Sequence, residues 1–558
     1  MGIGVALLTN PGGIGARDVA LDRLSSSTER FNVLVVGGGI TGAGIALDAA
    51  SRGLRVALVE RFDFASGTSS KSSKLIHGGL RYLEHYEFGL VREASLERGL
   101  LERLAPQLVE SLPFVIPVSD RWLRAKFGVG MWAYDALASF KNTAFHKYID
   151  AKTVEAMVPA MPKGKVRGGY LYYDSKTDDV RLVMEVLVQA VRLGAVVANY
   201  AAVRDLDTSE SGCRALIEDT LDGDLFEVGA HRVIVAGGVW NDRIESLGDA
   251  TAQPRLRPSK GIHLVFRSDA VPLTETATFI PDADRKRMLF LIPWQDHVVV
   301  GTTDSDYEGD LNRPCVTANE RSYVLHAVNA SLGLDLQEGD VVGAWAGLRP
   351  LVRAKDGSTV DLSRSHVVYD LAPGVAGITG GKLTTYRRMA QDAVDRVVGA
   401  FEDAGASRTR WIKLGCVDVD MLRRAVARRC ERLAVPEESG GHLVRCYGDR
   451  ALAVLEVAAE TGHTEALVPG HRPIGAEATY CARSEMAVQL SDLLARRTRL
   501  ALTDRSAGIG SEGLALQLMG SELSWNTHES GRQALAYRSE IEAERGAPLQ
   551  RERVGSAR

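Results

Sequence analysis

The chain has 558 residues, 45% hydrophobic and 25% charged, with a formal net charge of −4. That length exceeds what one hydrophobic core fills, so two or three domains are expected. The slight acidic excess excludes the basic footprint of a nucleic-acid-binding protein, and no apolar run approaches the roughly 18 to 20 residues that cross a bilayer.

Residues 3–8 are apolar but lack the preceding Lys or Arg of a secretory signal, so 1–30 read as a loosely ordered extension. The cysteines, Cys213, Cys315, Cys416, Cys430, Cys446 and Cys481, form no CxxC pair. They predict reduced thiols in a cytoplasmic protein rather than a zinc site or a disulfide framework.

Residues 33–36 are a short, valine-rich apolar run, as a buried parallel strand requires. Gly37, Gly39 and Gly42 follow in GGGITG, then a helical stretch over 40–52 that Gly53 stops, and a second strand over 54–59 ending at Glu60. In such a unit the first glycine permits the tight turn, the second lets the backbone approach a pyrophosphate, and the third lets helix pack on strand. The N–H groups at the helix start, around Ile40 and Thr41, would hold phosphate charge. Glu60 lies 23 residues after Gly37, where a carboxylate can accept hydrogen bonds from an adenosine ribose. Arg61 could meet a 2′-phosphate, so this unit alone leaves NADP open.

Next comes SGTSSKSSKLIHGGLRYLEHYEFGLVREA, residues 66–94. Its serines alone would suit a flexible linker. Joined to a nucleotide-binding strand, small polar residues such as Thr68, Ser69, Ser70 and Ser73, with Lys74, could instead bond a long cofactor. Gly78 and Gly79 would allow close approach to a flat ring, beside His77 and Tyr82. Arg81 suits a phosphorylated substrate, because its fork matches phosphate oxygens. Residues 121–134, RWLRAKFGVGMWAY, mix basic residues with Trp122, Phe127, Met131 and Trp132. They read either as a membrane-interface segment or as an amphipathic helix packed on its own domain.

An apolar strand over 233–235 leads into AGGVWND, with Gly238 and Trp240. SKGIHLVF (259–266), VVVGTTDSDYEGD (298–310), WAGLRPL (345–351) and ITGGKLTTYRRMAQDAV (378–394) follow. In the last, a strand end meets a glycine pair, Lys382, two threonines and a helix, which again aims N–H groups at a ligand. Taken alone, His263 reads first as a structural histidine, Arg349 equally as a capping or paired cation, and Lys382 as either solvated or functional. From about residue 400, helical patterns such as 421–433 and 482–500 suggest packing rather than chemistry, and the chain from 542 reads as a polar, frayed tail.

Together these stretches resemble the FAD-dependent, respiratory (quinone-linked) glycerol-3-phosphate dehydrogenases. The resemblance is carried by VGGGITGAGIALDAASRG (36–53), TSSKSSKLIHGGLRYLEHYEFGLVREA (68–94), GGKLTTYRRMA (380–390) and EMAVQLSDLLARRTR (485–499), and spans about residues 31–500. It implies an α/β, glutathione-reductase-like FAD-binding fold over 31–400, with an interleaved antiparallel β substrate domain at roughly 106–170 and 260–340. A C-terminal helical domain over 401–540 and a polar tail over 541–558 would follow.

The resemblance also implies FAD, held by Gly37, Gly39, Ile40, Thr41, Gly42, Glu60, Arg61, Thr68, Ser69, Ser70, Ser73, Lys74, Gly78, Gly79, Gly238, Trp240, Gly381, Lys382, Leu383 and Thr384. His77, Arg81, Tyr82, His263, Arg349 and Lys382 would line the pocket beside the flavin, with Thr303 and Asp304 nearby. Where the family commonly has NATGxW, this chain has VAGGVW over 235–240, which removes a threonine hydroxyl and keeps Gly238.

The implied reaction is oxidation of sn-glycerol 3-phosphate to dihydroxyacetone phosphate by hydride transfer to flavin N5. His77 or His263 would be the base, Arg349 and Lys382 the electrostatic stabilisers, and Arg81 and Arg349 the phosphate grip. Electrons would pass to a membrane quinone, from a chain lying on the inner face of the cytoplasmic membrane, or to oxygen, as in related oxidases. An amino-acid or amine oxidase of the same fold and an inactive flavoprotein sensor are the rivals. Several cations suited to a dianion favour the phosphoester. A homodimer stays open.

Overall fold

Short valine-rich runs pair where helices can cover them, and here they build the parallel centre of a mixed sheet. The computed structural model describes residues 12–26, 30–137, 144–209, 212–248, 254–282, 287–353, 365–509 and 512–549. Along it run β1 (Phe31–Val36), α1 (Ile40–Ser51), β2 (Val56–Val59), β3 (Val196–Ala198), β4 (Leu225–Val235), β5 (Leu256–Arg267), β6 (Val341–Val352), β7 (Val375–Thr379) and α2 (Tyr386–Val398). β1 is flanked in parallel by β2 and β4, and β3 and β7 extend the sheet on either side. Every residue of α1 except Thr41 is buried, because the helix packs against α2 and the helix Asp179–Arg192. Small residues permit that crossing: a Cβ on Gly44 would lie 2.9 Å from the Tyr386 ring.

The second sheet is antiparallel except where Ala277–Pro281 runs beside Glu110–Val118. β5 and β6 form its longest ladder, setting Ser259 opposite Arg349 and His263 opposite Trp345. Its strands come from before and after β3 and β4, so the two sheets alternate along the chain. From Val419 the described chain is dominated by helices, with an apolar core of its own around Val426, Leu443, Leu455 and Leu493.

Both expected loose ends are partly ordered. Residues 1–11 and 550–558 lie outside the described residues, but Arg17 begins a helix and pairs with Asp219 at 2.7 Å. The helix Thr527–Arg545 runs past residue 542, because Glu544 pairs with Lys71 and Arg545 donates to the Ala501 carbonyl at 2.6 Å.

Buried charge joins the helical unit to the dinucleotide unit. Asp63, just beyond β2, accepts from Arg496 at 2.6 Å and from Arg497 at 2.7 and 2.9 Å. Glu485 accepts from Arg181 at 2.9 and 3.0 Å and from Arg450 at 2.8 Å, and Arg450 also reaches Glu185 at 2.7 Å. All of these side chains are buried. Burial would raise the Glu485 carboxyl, but Arg181, Arg450 and Arg497 overcome it and hold it at about 2 rather than 4.5. Its share of stability is therefore fully present above pH 4.5 and is lost as pH falls toward 2. Glu485→Gln should flatten that acid limb in pH-dependent thermal unfolding. Arg497→Ala, which leaves the buried Asp63 carboxylate with Arg496 as its one remaining cation among these, should cost about 3 to 5 kcal/mol in urea denaturation.

Candidate active site

The turn between β1 and α1 has the geometry its glycines suggest. Gly37 adopts φ +116°, and a Cβ there would lie 2.5 Å from the Ala236 carbonyl oxygen. A Cβ on Gly42 would fall 1.8 Å from the Gly37 carbonyl oxygen, so only glycine lets α1 approach the turn. Ile40 and Thr41 present the helix N-terminus to a cavity of about 380 Å³, and the Ile40 N–H donates to Ser69 Oγ at 2.9 Å. Glu60 closes β2, its carboxylate accepting N–H groups of Gly38 at 2.5 Å and Phe62 at 2.9 Å. Burial pushes its pKa up, against the pull of those two bonds.

The same cavity continues along Gly238 and Trp240 to Gly380, Gly381, Lys382 and Leu383, and on to His77, Tyr82 and Arg349. Lys382 Nζ stands 3.7 Å above the Tyr82 ring. Thr384 fixes the His77 backbone: its hydroxyl accepts the His77 N–H at 3.1 Å and bonds the His77 carbonyl at 3.2 Å. Arg349 is oriented by Asp304 at 3.0 Å, Thr302 Oγ1 at 3.0 Å, the Thr303 carbonyl at 3.1 Å and Ser259 Oγ at 3.3 Å.

Of the residues singled out in the sequence, one cavity therefore gathers Gly37, Gly39, Ile40, Thr41, Glu60, Arg61, Thr68, Ser69, His77, Tyr82, Gly238, Trp240, Arg349, Gly381, Lys382 and Leu383. Gly42, Ser70, Ser73, Lys74, Gly78, Gly79, His263, Thr303, Asp304 and Thr384 stand outside that lining. The side chain of Arg81 lies outside the described residues. Lys74 points away into the core, where it pairs with Asp179 at 3.1 Å and faces the rings of Trp294 and Trp345. Burial and nearby Arg499 bring its pKa down to about 8 despite Asp179.

His263 is buried in the middle of the second sheet, stacked on Trp345 at 4.8 Å, with Nε2 2.7 Å from Ser73 Oγ. Burial, Arg349 and Lys74 hold its pKa well below 6.5, so the ring is neutral at neutral pH. Its place behind Ser73 differs from that of His77, which faces the cavity. Ser72, Arg204 and Arg243 also line the cavity. Arg204 sits in no motif and is brought there by the Ala201–Ser209 strand, while Arg243 falls one residue past AGGVWND, on the Asn241–Gly248 helix that this stretch begins.

The VAGGVW departure has a packing counterpart. A Cβ on Gly237 would lie 2.3 Å from Ile244 Cδ1, so Ile244 fills the space beside position 237.

This cradle fits FAD: glycine backbone at the pyrophosphate turn, a helix N-terminus, a carboxylate at the second strand end, and a long cavity reaching past all three. The family model for FAD dependent oxidoreductases matches residues 32–387, and that for the C-terminal domain of alpha-glycerophosphate oxidase matches 407–530. A glycerol-3-phosphate dehydrogenase of Mycobacterium leprae is 38% identical over 93% of this chain and 89% of its own. A mitochondrial glycerol-3-phosphate dehydrogenase of Arabidopsis thaliana is 35% identical over 90% of this chain and 84% of its own. The crystal structure of glycerol-3-phosphate dehydrogenase from Bacillus halodurans complexed with FAD superposes with a TM-score of 0.78 at 28% identity, covering 97% of this chain and 99% of that one. Glycine turn, cavity and relatives agree, and the chain belongs to the FAD-dependent glycerol-3-phosphate dehydrogenase family.

Proposed function

We propose that this protein oxidises sn-glycerol 3-phosphate to dihydroxyacetone phosphate and passes the electrons to a membrane quinone. The observation that carries the reading is the joining, in one cavity, of the dinucleotide cradle to His77, Arg349 and Lys382. The relatives' names supply the substrate.

When bound, the flavin supplies the hydride acceptor. Arg349 holds its positive charge toward the phosphate, and Asp304, Thr302 and Thr303 fix the guanidinium in place, so little ordering remains to be done when substrate arrives. His77 takes the C2 hydroxyl proton, as an imidazole that faces the cavity. Lys382 stabilises the developing alkoxide from its seat over Tyr82. His263, neutral and behind Ser73, orients that hydroxyl rather than exchanging the substrate proton.

The helix Arg121–Leu137 supports the membrane reading. Met131 and Tyr134 anchor it inward, while Trp122 and Trp132 remain 69% and 65% exposed, beside Arg121, Arg124 and Lys126. Exposed tryptophan with basic neighbours suits a lipid interface. Among the described residues no helix is long and apolar enough to cross a membrane, so contact would be peripheral.

Arg349→Ala should lower kcat/KM by about 2 to 4 kcal/mol, and an unchanged steady-state profile would reject its role. His77→Asn should slow flavin reduction in stopped flow by roughly 10²- to 10⁴-fold, and His263→Asn by much less. The reverse order would make His263 the base. Anaerobic bleaching by glycerol 3-phosphate, followed by reoxidation with a quinone analogue and separately with oxygen, tests the acceptor: faster return with oxygen makes the enzyme an oxidase. Trp122→Glu combined with Trp132→Glu should abolish co-sedimentation with anionic liposomes, and undiminished binding would mean another surface meets the lipid.

A further inference from the structure

Away from the flavin cavity, a recess of about 280 Å³ opens between the helix Glu437–Tyr447 and the turn that follows Trp294. His442 and Cys446 both line it, one helical turn apart. His442 Nδ1 lies 3.5 Å from Cys446 Sγ, and its Nε2 lies 3.0 Å from Glu477 Oε2. Glu477 is fully buried and fixed from two more sides, by the Tyr447 hydroxyl at 2.8 Å and the Ile474 N–H at 2.8 Å. Burial alone would depress the imidazole, but the Cys446 sulfur and the Glu477 carboxylate overcome it and push the pKa up to about 10. A base set between a sulfur and an orienting carboxylate is the arrangement that activates a nucleophile.

The other thiols differ. Cys213, Cys416, Cys430 and Cys481 are buried, and burial pushes each of them up, toward the unreactive thiol. Cys315 shares the partial exposure of Cys446 and so serves as an internal reference. The recess carries no strong excess of one charge with which to grip an ionic ligand: Lys176, Arg445, Arg472 and His442 stand against Glu110, Asp178, Glu275 and Asp296. Its Lys176 pairs with Glu275 at 3.0 Å and its Arg472 with Asp296 at 2.7 Å. A small uncharged electrophile suits it.

We propose that Cys446, with His442 as its base and Glu477 as the group that orients that base, is a peroxide-reactive modification site separate from the flavin cavity. His442 holds the thiol proton while the sulfur attacks one peroxide oxygen. The S–O bond forms as the O–O bond breaks, the sulfur is oxidised by two electrons to a sulfenic acid, and the peroxide is reduced. The departing oxygen takes the proton from His442 and leaves as water.

The test treats the holoenzyme with hydrogen peroxide in the presence of dimedone and maps the adducts by peptide mass spectrometry. Cys446 should carry at least about tenfold more adduct than Cys315. His442→Asn should cut the Cys446 adduct about tenfold while Cys315 labelling and flavin content stay as in the wild type. Equal labelling of Cys446 and Cys315, or a Cys446 adduct that His442→Asn does not reduce, overturns the assignment. Should that variant lose its flavin, the wild-type ratio decides by itself.

Discussion

Two buried carboxylates, Asp63 and Glu485, hold this structure together through the arginines that surround them. Asp63 follows the second strand of the dinucleotide unit, Arg181 lies in the first turn of the helix Asp179–Arg192, and Glu485, Arg496 and Arg497 belong to the C-terminal helical unit. In an interior of low dielectric an unpaired charge costs several kcal/mol, whereas a complete set roughly offsets its desolvation. The network thus contributes little as an average attraction and a great deal as a constraint. These distant segments meet in one register or strand a charge.

The constraint reaches the active site along the Asp179–Arg192 helix. Its first residue, Asp179, receives Lys74, Arg499 and the Ser72 hydroxyl. The loop carrying Thr68, Ser69 and Ser72 along the cavity is therefore seated on a charge cluster completed by the C-terminal segment. Lys74, whose sequence setting suggested cofactor contact, serves as the buried peg of that seat. In the same way Asp304 and Thr303 act on the cavity through Arg349, which they aim.

How far the site could be read from the sequence followed the range of the interactions concerned. The turn at Gly37, the helix start at Ile40 and the carboxylate at Glu60 fall within one stretch of two dozen residues, and their spacing exposes them. His77 and His263 look alike as single residues, each preceded by an isoleucine and with a glycine within two residues. Only the sheet separates them: His263 lies in a strand between His297–Gly301 and β6, with Trp345 over its ring, whereas His77 follows the short strand Leu75–Ile76 and faces open space. Arg204 had no local signal because its strand reaches the cavity from outside every marked stretch, whereas Arg243 lies one residue past AGGVWND.

The parallel dinucleotide unit, its cofactor class and the family were written in contiguous residues, as strand periodicity, glycine sterics and long ordered motifs. Which polar residues face the cavity and which lie behind it came from packing. Packing also decided that the 485–499 segment is a charged dock, and that both chain ends are partly fastened by Arg17 and Arg545. The physical reason is that burial and charge pairing between remote segments belong to the packed assembly, and no stretch of chain carries them alone.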